Sequence, residues 1–182
     1  MRLKPVPGST TRPIMDRAKE ALFSILSDTI IEARVLDLFA GTGAVGIEAL
    51  SRGAEWVTFT ELDKEAIKTI QENLKTTRLG EDAEVIRTDA FVYLKRQDID
   101  PYSLVYIAPP QYKNLWKQAL LALDENVTLL EPDAIVIVQI DPREKQEITL
   151  QHLTPYDERV YGKTLLWFFE HTPEGEMDEP GE

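Results

Sequence analysis

The stretch VLDLFAGTGAVGIEAL, residues 35–50, decides the fold. Its apolar start, VLDLF, predicts a buried strand, and AVGIEAL predicts a helix. Between them Gly41, Gly43 and Gly46 have the spacing GxGxxG. Glycines there permit a tight turn and let the backbone approach a ligand at the N-terminus of the helix. This order of elements is typical of α/β proteins that bind nucleotides, but the glycine spacing alone does not define the ligand.

Asp37, at the end of the predicted strand, separates two interpretations of the glycine turn. A carboxylate in that place would repel a pyrophosphate, which disfavours a nicotinamide dehydrogenase. The same carboxylate favours a cationic, sulfonium-bearing amino acid, because it reaches the ammonium directly or through water. The alternative is a solvated acid in a turn whose glycines serve packing.

Two further acids follow the next two predicted strands. Glu61 comes twenty residues after Gly41, the interval of an acid that accepts both hydroxyls of an adenosine ribose. Asp89 ends the third strand, where it either accepts the adenine amino group or caps the next helix; Asp63 is expected to be such a cap. Because the carboxyl ends of successive strands meet in one crevice, the acids together predict S-adenosylmethionine as the ligand.

Outward from this stretch, predicted strands and helices alternate, which indicates an α/β fold with a parallel sheet covered on both faces. The last two strands read as a hairpin that turns near Gly162, so one of them is expected to run antiparallel. Helices are predicted at 13–26, 44–53, 63–80, 90–96 and 114–130, strands at 33–39, 55–61, 83–89, 103–108 and 133–140, and the hairpin at 156–170.

Length and composition favour one soluble domain. The chain has 182 residues, of which 43% are hydrophobic and 29% charged. It contains no cysteine, which excludes disulfides, cysteine zinc sites and cysteine nucleophiles, and its two histidines have no metal-ligand spacing. No apolar run approaches the ~18 residues of a membrane span, and the N-terminus does not resemble a secretory signal. We expect a cytoplasmic protein without a membrane or metal partner: a single domain over 1–172 and an acidic tail over 173–182.

The charge is unevenly distributed. The net charge is −12, and residues 170–182 contain six acids and no lysine or arginine. The N-terminal arm, residues 1–13, and the start of the first helix are basic, which is compatible with an RNA contact and equally with ordinary solubility. The candidate substrate-binding residues are Arg2, Lys4, Arg12 and Arg17.

These stretches together resemble the class I S-adenosylmethionine-dependent methyltransferases, and more narrowly the RsmD family, which methylates the N2 amine of a guanine in 16S ribosomal RNA. The resemblance covers nearly the whole chain up to the tail, and TRPIMDRAKEALFSIL points to this family in particular. It implies a Rossmann-like seven-stranded, mostly parallel sheet with an antiparallel C-terminal hairpin and helices on both faces. It also implies ribosomal RNA or the assembling small subunit as partner, and we expect a monomer. The candidate cofactor-binding residues are Asp37, Phe39, Ala40, Gly41, Thr42, Gly43, Glu61, Leu62, Asp89 and Ala90.

The resemblance further implies that IAPPQY, residues 107–112, is the catalytic loop. Family members carry Asp or Asn before the prolines, as an acceptor for the target amine, and an aromatic residue after them. This chain departs from the pattern, because Ala108 accepts no hydrogen bond and Gln111 precedes the aromatic Tyr112. Losing one preorganised partner costs roughly 10²–10³ in rate. The candidate catalytic residues are Ala108, Pro109, Pro110, Gln111 and Tyr112.

Three interpretations of the loop stay open. In the first, Gln111 positions the amine and Tyr112 stacks the base in a slightly shifted loop. In the second, the protein binds S-adenosylmethionine and RNA or ribosome-assembly intermediates with impaired turnover. In the third, the loop serves another substrate, such as a protein side chain or a small molecule.

Overall fold

The computed structural model describes residues 3–7, 14 and 16–173. Helices and strands alternate there along the chain, with short 3₁₀ turns between some of them. The helices are α1 (Asp16–Leu26), α2 (Ala44–Ser51), α3 (Lys64–Thr77), α4 (Ala90–Tyr93) and α5 (Leu115–Glu125). The strands are β1 (Arg34–Asp37), β2 (Trp56–Glu61), β3 (Ala83–Arg87), β4 (Tyr102–Ile107), β5 (Leu130–Ile140), β6 (Leu153–Tyr161) and β7 (Thr164–His171).

These seven strands form one sheet in the order β3-β2-β1-β4-β5-β7-β6. Neighbouring strands are parallel except where β7 pairs with β5 and β6. The predicted mostly parallel sheet with a reversed C-terminal hairpin is therefore confirmed. The chain moves outward from β1 in one direction and returns to its other side with β4, which opens a crevice at the carboxyl ends of these strands.

Apolar side chains pack on both faces of the sheet. One buried cluster joins Leu36 of β1 to Trp116 of α5, and the other joins Val35 to Leu22 of α1 and Ile47 of α2. Val35 and Leu36 point to opposite faces because successive residues of a strand do so. The continuous apolar run around them is thus explained by a central strand that is buried on both sides.

The prediction of one long helix over 114–130 is wrong at its C-terminal end. Helix α5 stops before Asn126, a 3₁₀ turn covers Val127–Leu129, and β5 begins directly after it. The Asn126 side-chain amide donates to the carbonyl oxygens of Leu94 and Arg96, at 2.9 and 2.8 Å. This contact between distant segments fixes the helix end, and local periodicity does not reveal it.

Several expectations about the termini fall outside the described residues: Arg2, Arg12, the predicted helix start at Pro13, and the tail beyond residue 173. In the described ranges, none of the helices combines the length and apolar character that crossing a membrane requires.

Candidate active site

Two adjoining cavities lie at the carboxyl ends of the central strands, and Phe39 and Gly41 line both. The central cavity lies at the ends of β1, β4 and β5, and the lateral cavity at the ends of β1, β2 and β3. The lateral cavity encloses about 600 Å³, within the range of about 300–1,000 Å³ common for small-molecule sites. All the predicted cofactor residues except Gly43 line one of the two cavities. The central cavity contains Asp37, Ala40, Thr42, Tyr106, Ala108 and Gln139, and the lateral cavity Glu61, Leu62, Asp63, Asp89, Ala90 and Pro110.

The glycine turn has two structural requirements. Gly43 is left-handed, with φ +80°, and immediately precedes α2. Gly46 lies inside α2, where an added Cβ would be 2.3 Å from Cε1 of Phe59 on β2. Gly43 therefore serves the turn, and Gly46 lets the helix pack closely against the sheet.

Asp37 is buried at the end of β1, with 1% of its surface exposed. Its Oδ2 accepts a hydrogen bond from the Gly46 amide at 3.3 Å. Burial raises the pKa of Asp37 to about 8; the Gly46 amide opposes this effect and the negative charge of Glu61 adds to it. A cationic group placed in the central cavity would favour the ionised carboxylate, so the site is electrostatically suited to a ligand that carries an ammonium.

The carboxylate of Glu61 is held by backbone amides at the end of β2. Its Oε1 accepts from Gly41 at 3.2 Å, and its Oε2 accepts from Leu62 and Asp63 at 2.6 and 2.9 Å. These contacts connect Glu61 to the glycine turn and fix the carboxylate at the border of the lateral cavity. The carboxylate has about four lone-pair sites. The three amides use three of them, so one further hydrogen bond, to Oε1, remains available to a ligand hydroxyl.

The two aspartates near Glu61 both cap helices. Asp63 accepts from the Ala66 amide at 3.3 Å, which confirms the cap predicted at the start of α3. Asp89 caps α4 through Oδ1, which accepts from Phe91 and Val92 at 2.8 and 3.2 Å. The cap thus occupies Oδ1 of Asp89, and Asp89 also lines the lateral cavity.

The predicted catalytic loop borders both cavities with only part of its length. Ala108 lines the central cavity and Pro110 lines the lateral cavity. Pro109, between them in the chain, is buried. Gln111 is half-buried and lines neither of the two cavities. The loop therefore presents the methyl group of Ala108, and no polar side chain, to the central cavity.

Tyr112 is fixed by the segment that follows β5. Its backbone amide donates to Glu144 Oε1 at 2.7 Å, and its hydroxyl donates to Asp141 Oδ2 at the same distance. The guanidinium of Arg143 donates to the Tyr112 hydroxyl at 2.7 Å and lies 5.7 Å from the ring centre. These contacts hold Tyr112 in a left-handed conformation, φ +63°. Tyr112 is 59% exposed but lines neither cavity, so the stacking of its ring on a base stays a prediction.

Asp141, which accepts the hydrogen bond from the Tyr112 hydroxyl, is itself held by several hydrogen bonds. Asp141 and Glu144 form a capping box on the 3₁₀ turn Pro142–Glu144. Hydrogen bonds from the Arg143 side chain and backbone, and from the Tyr112 hydroxyl, hold the pKa of Asp141 well below its usual range. The turn is therefore a rigid, charged support for the end of the catalytic loop.

Sequence reasoning missed Tyr106 and Gln139, which line the central cavity beside Asp37. Tyr106 is buried, and its hydroxyl donates to Oε1 of Gln139. A signal was present, because Gln139 is a polar residue at the carboxyl end of an apolar strand, as Asp37 and Glu61 are.

The described part of the basic N-terminal arm is joined to the glycine turn through Asn73. The Lys4 amide donates to Asn73 Oδ1 at 2.9 Å, and the Asn73 amide donates to the carbonyls of Lys4 and Thr42. The Lys4 ammonium pairs with Glu72 at 2.8 Å, and the Arg17 guanidinium lies 5.9 Å from the ring centre of Tyr161. Both cations thus have intramolecular contacts, and their role toward RNA stays a prediction.

The sheet order, the glycine turn and the acids around the cleft define a class I S-adenosylmethionine-dependent methyltransferase fold. The family model described as "Conserved hypothetical protein 95" matches residues 1–170. The chain belongs to this family, the RsmD family that the sequence resembles.

Named relatives support this assignment. The chain is 40% identical over 153 residues to ribosomal RNA small subunit methyltransferase D of Haemophilus influenzae, covering 83% of this chain and 78% of that protein. It is 32% identical over 178 residues to the protein of the same name in Escherichia coli, covering 97% and 88%.

Solved structures share the fold. The Escherichia coli protein yhhF superimposes with a TM-score of 0.82 at 30% identity, covering 92% of this chain and 90% of that one. An RNA methyltransferase of Salinibacter ruber, solved with S-adenosyl-L-homocysteine, gives 0.67 at 16% identity, covering 92% and 98%. At that identity the likeness concerns the fold alone.

Proposed function

We propose that this chain transfers the methyl group of S-adenosylmethionine to the exocyclic N2 amine of a guanine in 16S ribosomal RNA, acting as a monomer in the cytoplasm. The observation that carries the proposal is the convergence of Asp37, Glu61 and Asp89 on one cleft that is bordered by the double-proline loop. The names of the relatives at 32% and 40% identity support ribosomal RNA as the substrate.

The residues of the cleft fit the proposed cofactor. The lateral cavity would hold the adenosine, with a ribose hydroxyl on Oε1 of Glu61 and its adenine amine on Oδ2 of Asp89. The central cavity would hold the amino-acid end, whose ammonium approaches Asp37. A buried carboxyl whose pKa is raised to about 8 is costly to ionise alone and gains most from a cationic partner. S-adenosylmethionine carries two cationic groups, the ammonium and the sulfonium.

The chain's contribution to catalysis is positioning. S-adenosylmethionine, when bound, supplies a methyl group that is already activated by the sulfonium. The lone pair of the guanine amine is delocalised into its ring, so the protein must hold the amine in line with the methyl carbon. We propose that the backbone at Pro109 and Pro110 forms the rigid rim of this site and that the Pro109 carbonyl accepts one N–H. Bound S-adenosylmethionine would give its methyl group to the amine nitrogen and leave as the neutral thioether, and the methylated amine would release one proton to solvent.

Ala108 favours a second candidate function, which is binding of the cofactor and of ribosomal RNA without efficient turnover. Both candidates predict cofactor binding, so only turnover separates them. The test is a single-turnover reaction of the protein with methyl-labelled S-adenosylmethionine and small ribosomal subunits that lack this methylation. The RNA is then digested to nucleosides.

We expect the label in N2-methylguanosine. The matched negative control is the Glu61→Gln variant, used at a cofactor concentration far below the dissociation constant of this variant for the cofactor. Cofactor binding without transfer would establish the second candidate. Label in another nucleoside or in a ribosomal protein would contradict the proposed acceptor.

A further inference from the structure

Gln139 lies beside the position at which the catalytic loop lacks a polar side chain. Ile107 of β4 pairs with Val138 of β5 in parallel register, so the next residues, Ala108 and Gln139, are neighbours at the carboxyl ends of these strands. Both line the central cavity together with Asp37. An amide on β5 therefore borders the same space that a polar side chain at 108 would enter.

Tyr106 holds the side chain of Gln139 in this position. Ala108 follows it by two residues, directly after β4, and both belong to the same apolar cluster on one face of the sheet. Its ring is buried and its hydroxyl is hydrogen-bonded to the Gln139 amide. Burial, assisted by the charge of Asp37, raises the pKa of Tyr106 well above its usual value, so the phenol stays neutral. A neutral phenol donates or accepts, and it therefore supports either orientation of the amide.

The amide orientation decides what Gln139 presents to a substrate. The oxygen and nitrogen of a glutamine amide exchange places by a half-turn of the terminal group at little change in shape. In the structure the Tyr106 hydroxyl donates to Oε1 of Gln139. After a half-turn of the amide, the nitrogen would donate to the Tyr106 oxygen and Oε1 would be the acceptor open to a substrate. That is the type of group that an exocyclic amine requires.

We propose that Gln139 contacts the target amine as its side-chain acceptor and that Tyr106 positions Gln139. This inference rests on the proposed function and replaces Gln111 in the role of acceptor. Gln111 lines neither cavity, and the loop beyond it is fixed at Tyr112 by contacts to Asp141 and Glu144.

The charge of the cavity also favours an amide. Asp37 is buried next to this space, and the negative charge of Glu61 already raises its pKa. A carboxylate at 108 or 139 would raise the pKa of Asp37 further and so weaken the binding of a cationic ligand. A neutral glutamine accepts a hydrogen bond from the amine without this penalty.

The test compares single-turnover methyl transfer to guanine, at saturating cofactor and RNA, in variants with measured cofactor affinity. We expect Gln139→Ala to lower the rate by about 10²-fold, as the loss of one preorganised partner does, with cofactor affinity changed less than threefold. Gln139→Glu keeps an acceptor and should retain at least ten times the rate of Gln139→Ala. Gln118→Ala on the exposed side of α5 is the matched control and should have the rate of the wild type.

Two combined variants test the mechanism of the effect. Ala108→Asp should raise the rate of Gln139→Ala at least tenfold and that of the wild type much less, because it supplies an acceptor that only the former lacks. Tyr106→Phe should slow the wild type several-fold but leave Gln139→Ala nearly unaffected, since a positioning residue acts through the group it positions. Additive losses would assign Tyr106 a general structural role instead.

The outcomes separate this inference from the proposed function. If the Gln139→Ala variant transfers methyl to guanine at the wild-type rate, or if Gln111→Ala lowers that rate more than Gln139→Ala does, only the assignment of Gln139 is overturned. Absence of N2-methylguanosine in the wild-type reaction overturns the proposed function, and the assignment of Gln139 with it.

Discussion

The lateral and central cavities share Phe39 and Gly41 but are built from different kinds of side chain. In the lateral cavity the carboxylates of Glu61 and Asp89 are anchored by backbone amides within three residues in sequence, and Glu61 also by the amide of Gly41 in the glycine turn. In the central cavity a buried Asp37 meets Ala108 and Gln139, which belong to strands far along the chain. The first arrangement is maintained by local structure, whereas the second depends on how side chains of neighbouring strands complement one another.

We therefore expect the two halves of the cleft to tolerate substitution differently. A carboxylate fixed by its own turn is difficult to replace, because the same oxygens organise the backbone. In our proposal the side-chain acceptor of the central cavity comes from Gln139 of β5, because Ala108 supplies none.

The largest expected effect tests the lateral half. Glu61→Gln should weaken binding of S-adenosylhomocysteine about 10- to 100-fold, because hydrogen bonds to a charged group contribute about 1.5–3 kcal/mol. Isothermal titration calorimetry measures this directly. Glu55→Gln, an exposed position just before the same strand, is the control and should bind like the wild type. Equal affinities for the two variants would show that Glu61 serves only the turn.

The next effect tests the central half through Asp37. Its carboxyl is mostly protonated below its pKa of about 8, and a cationic ligand requires it ionised, so binding releases a proton. The affinity for S-adenosylhomocysteine should therefore rise about tenfold from pH 6 to pH 7, with close to one proton released at pH 7.

Calorimetry in buffers of different ionisation enthalpy counts the released protons. Asp37→Asn is the matched variant, since it keeps the shape and an oxygen for the Gly46 amide but has no titrating group. Its affinity should be nearly independent of pH in this range. Uptake of a proton by the wild type, or the same pH profile in both proteins, would contradict the role of Asp37.

The smallest expected effect concerns the support of the loop. Tyr112→Phe removes the hydroxyl between Asp141 and Arg143 and should lower the free energy of unfolding by about 1 kcal/mol, with cofactor affinity unchanged. Tyr156→Phe, on an exposed part of β6, is the control and should cost less. Chemical denaturation measures both.

A comparison of Tyr112→Phe with Tyr112→Ala separates support from stacking. Only the alanine variant removes the ring, and stacking on a base contributes about 1–3 kcal/mol. Equal RNA affinities for the two variants would limit Tyr112 to its contacts with the turn after β5.

The residues that the sequence predicted correctly are those whose neighbours are local. The cap at Asp63 and the reversal of β7 followed from spacing and turn residues within short windows. The end of α5 was mispredicted because Asn126 is held by carbonyls of a distant segment. The role of Gln139 and the contacts that fix Tyr112 were missed for the same reason. Their partners, Tyr106 and Glu144, come from other elements.

The most direct test of the account is mass mapping of 16S ribosomal RNA from otherwise identical cells with and without this protein. The account predicts one guanine that carries an N2 methyl group only when the protein is present, and that loses it when Glu61→Gln replaces the wild type. Identical maps from the two cell lines would contradict it.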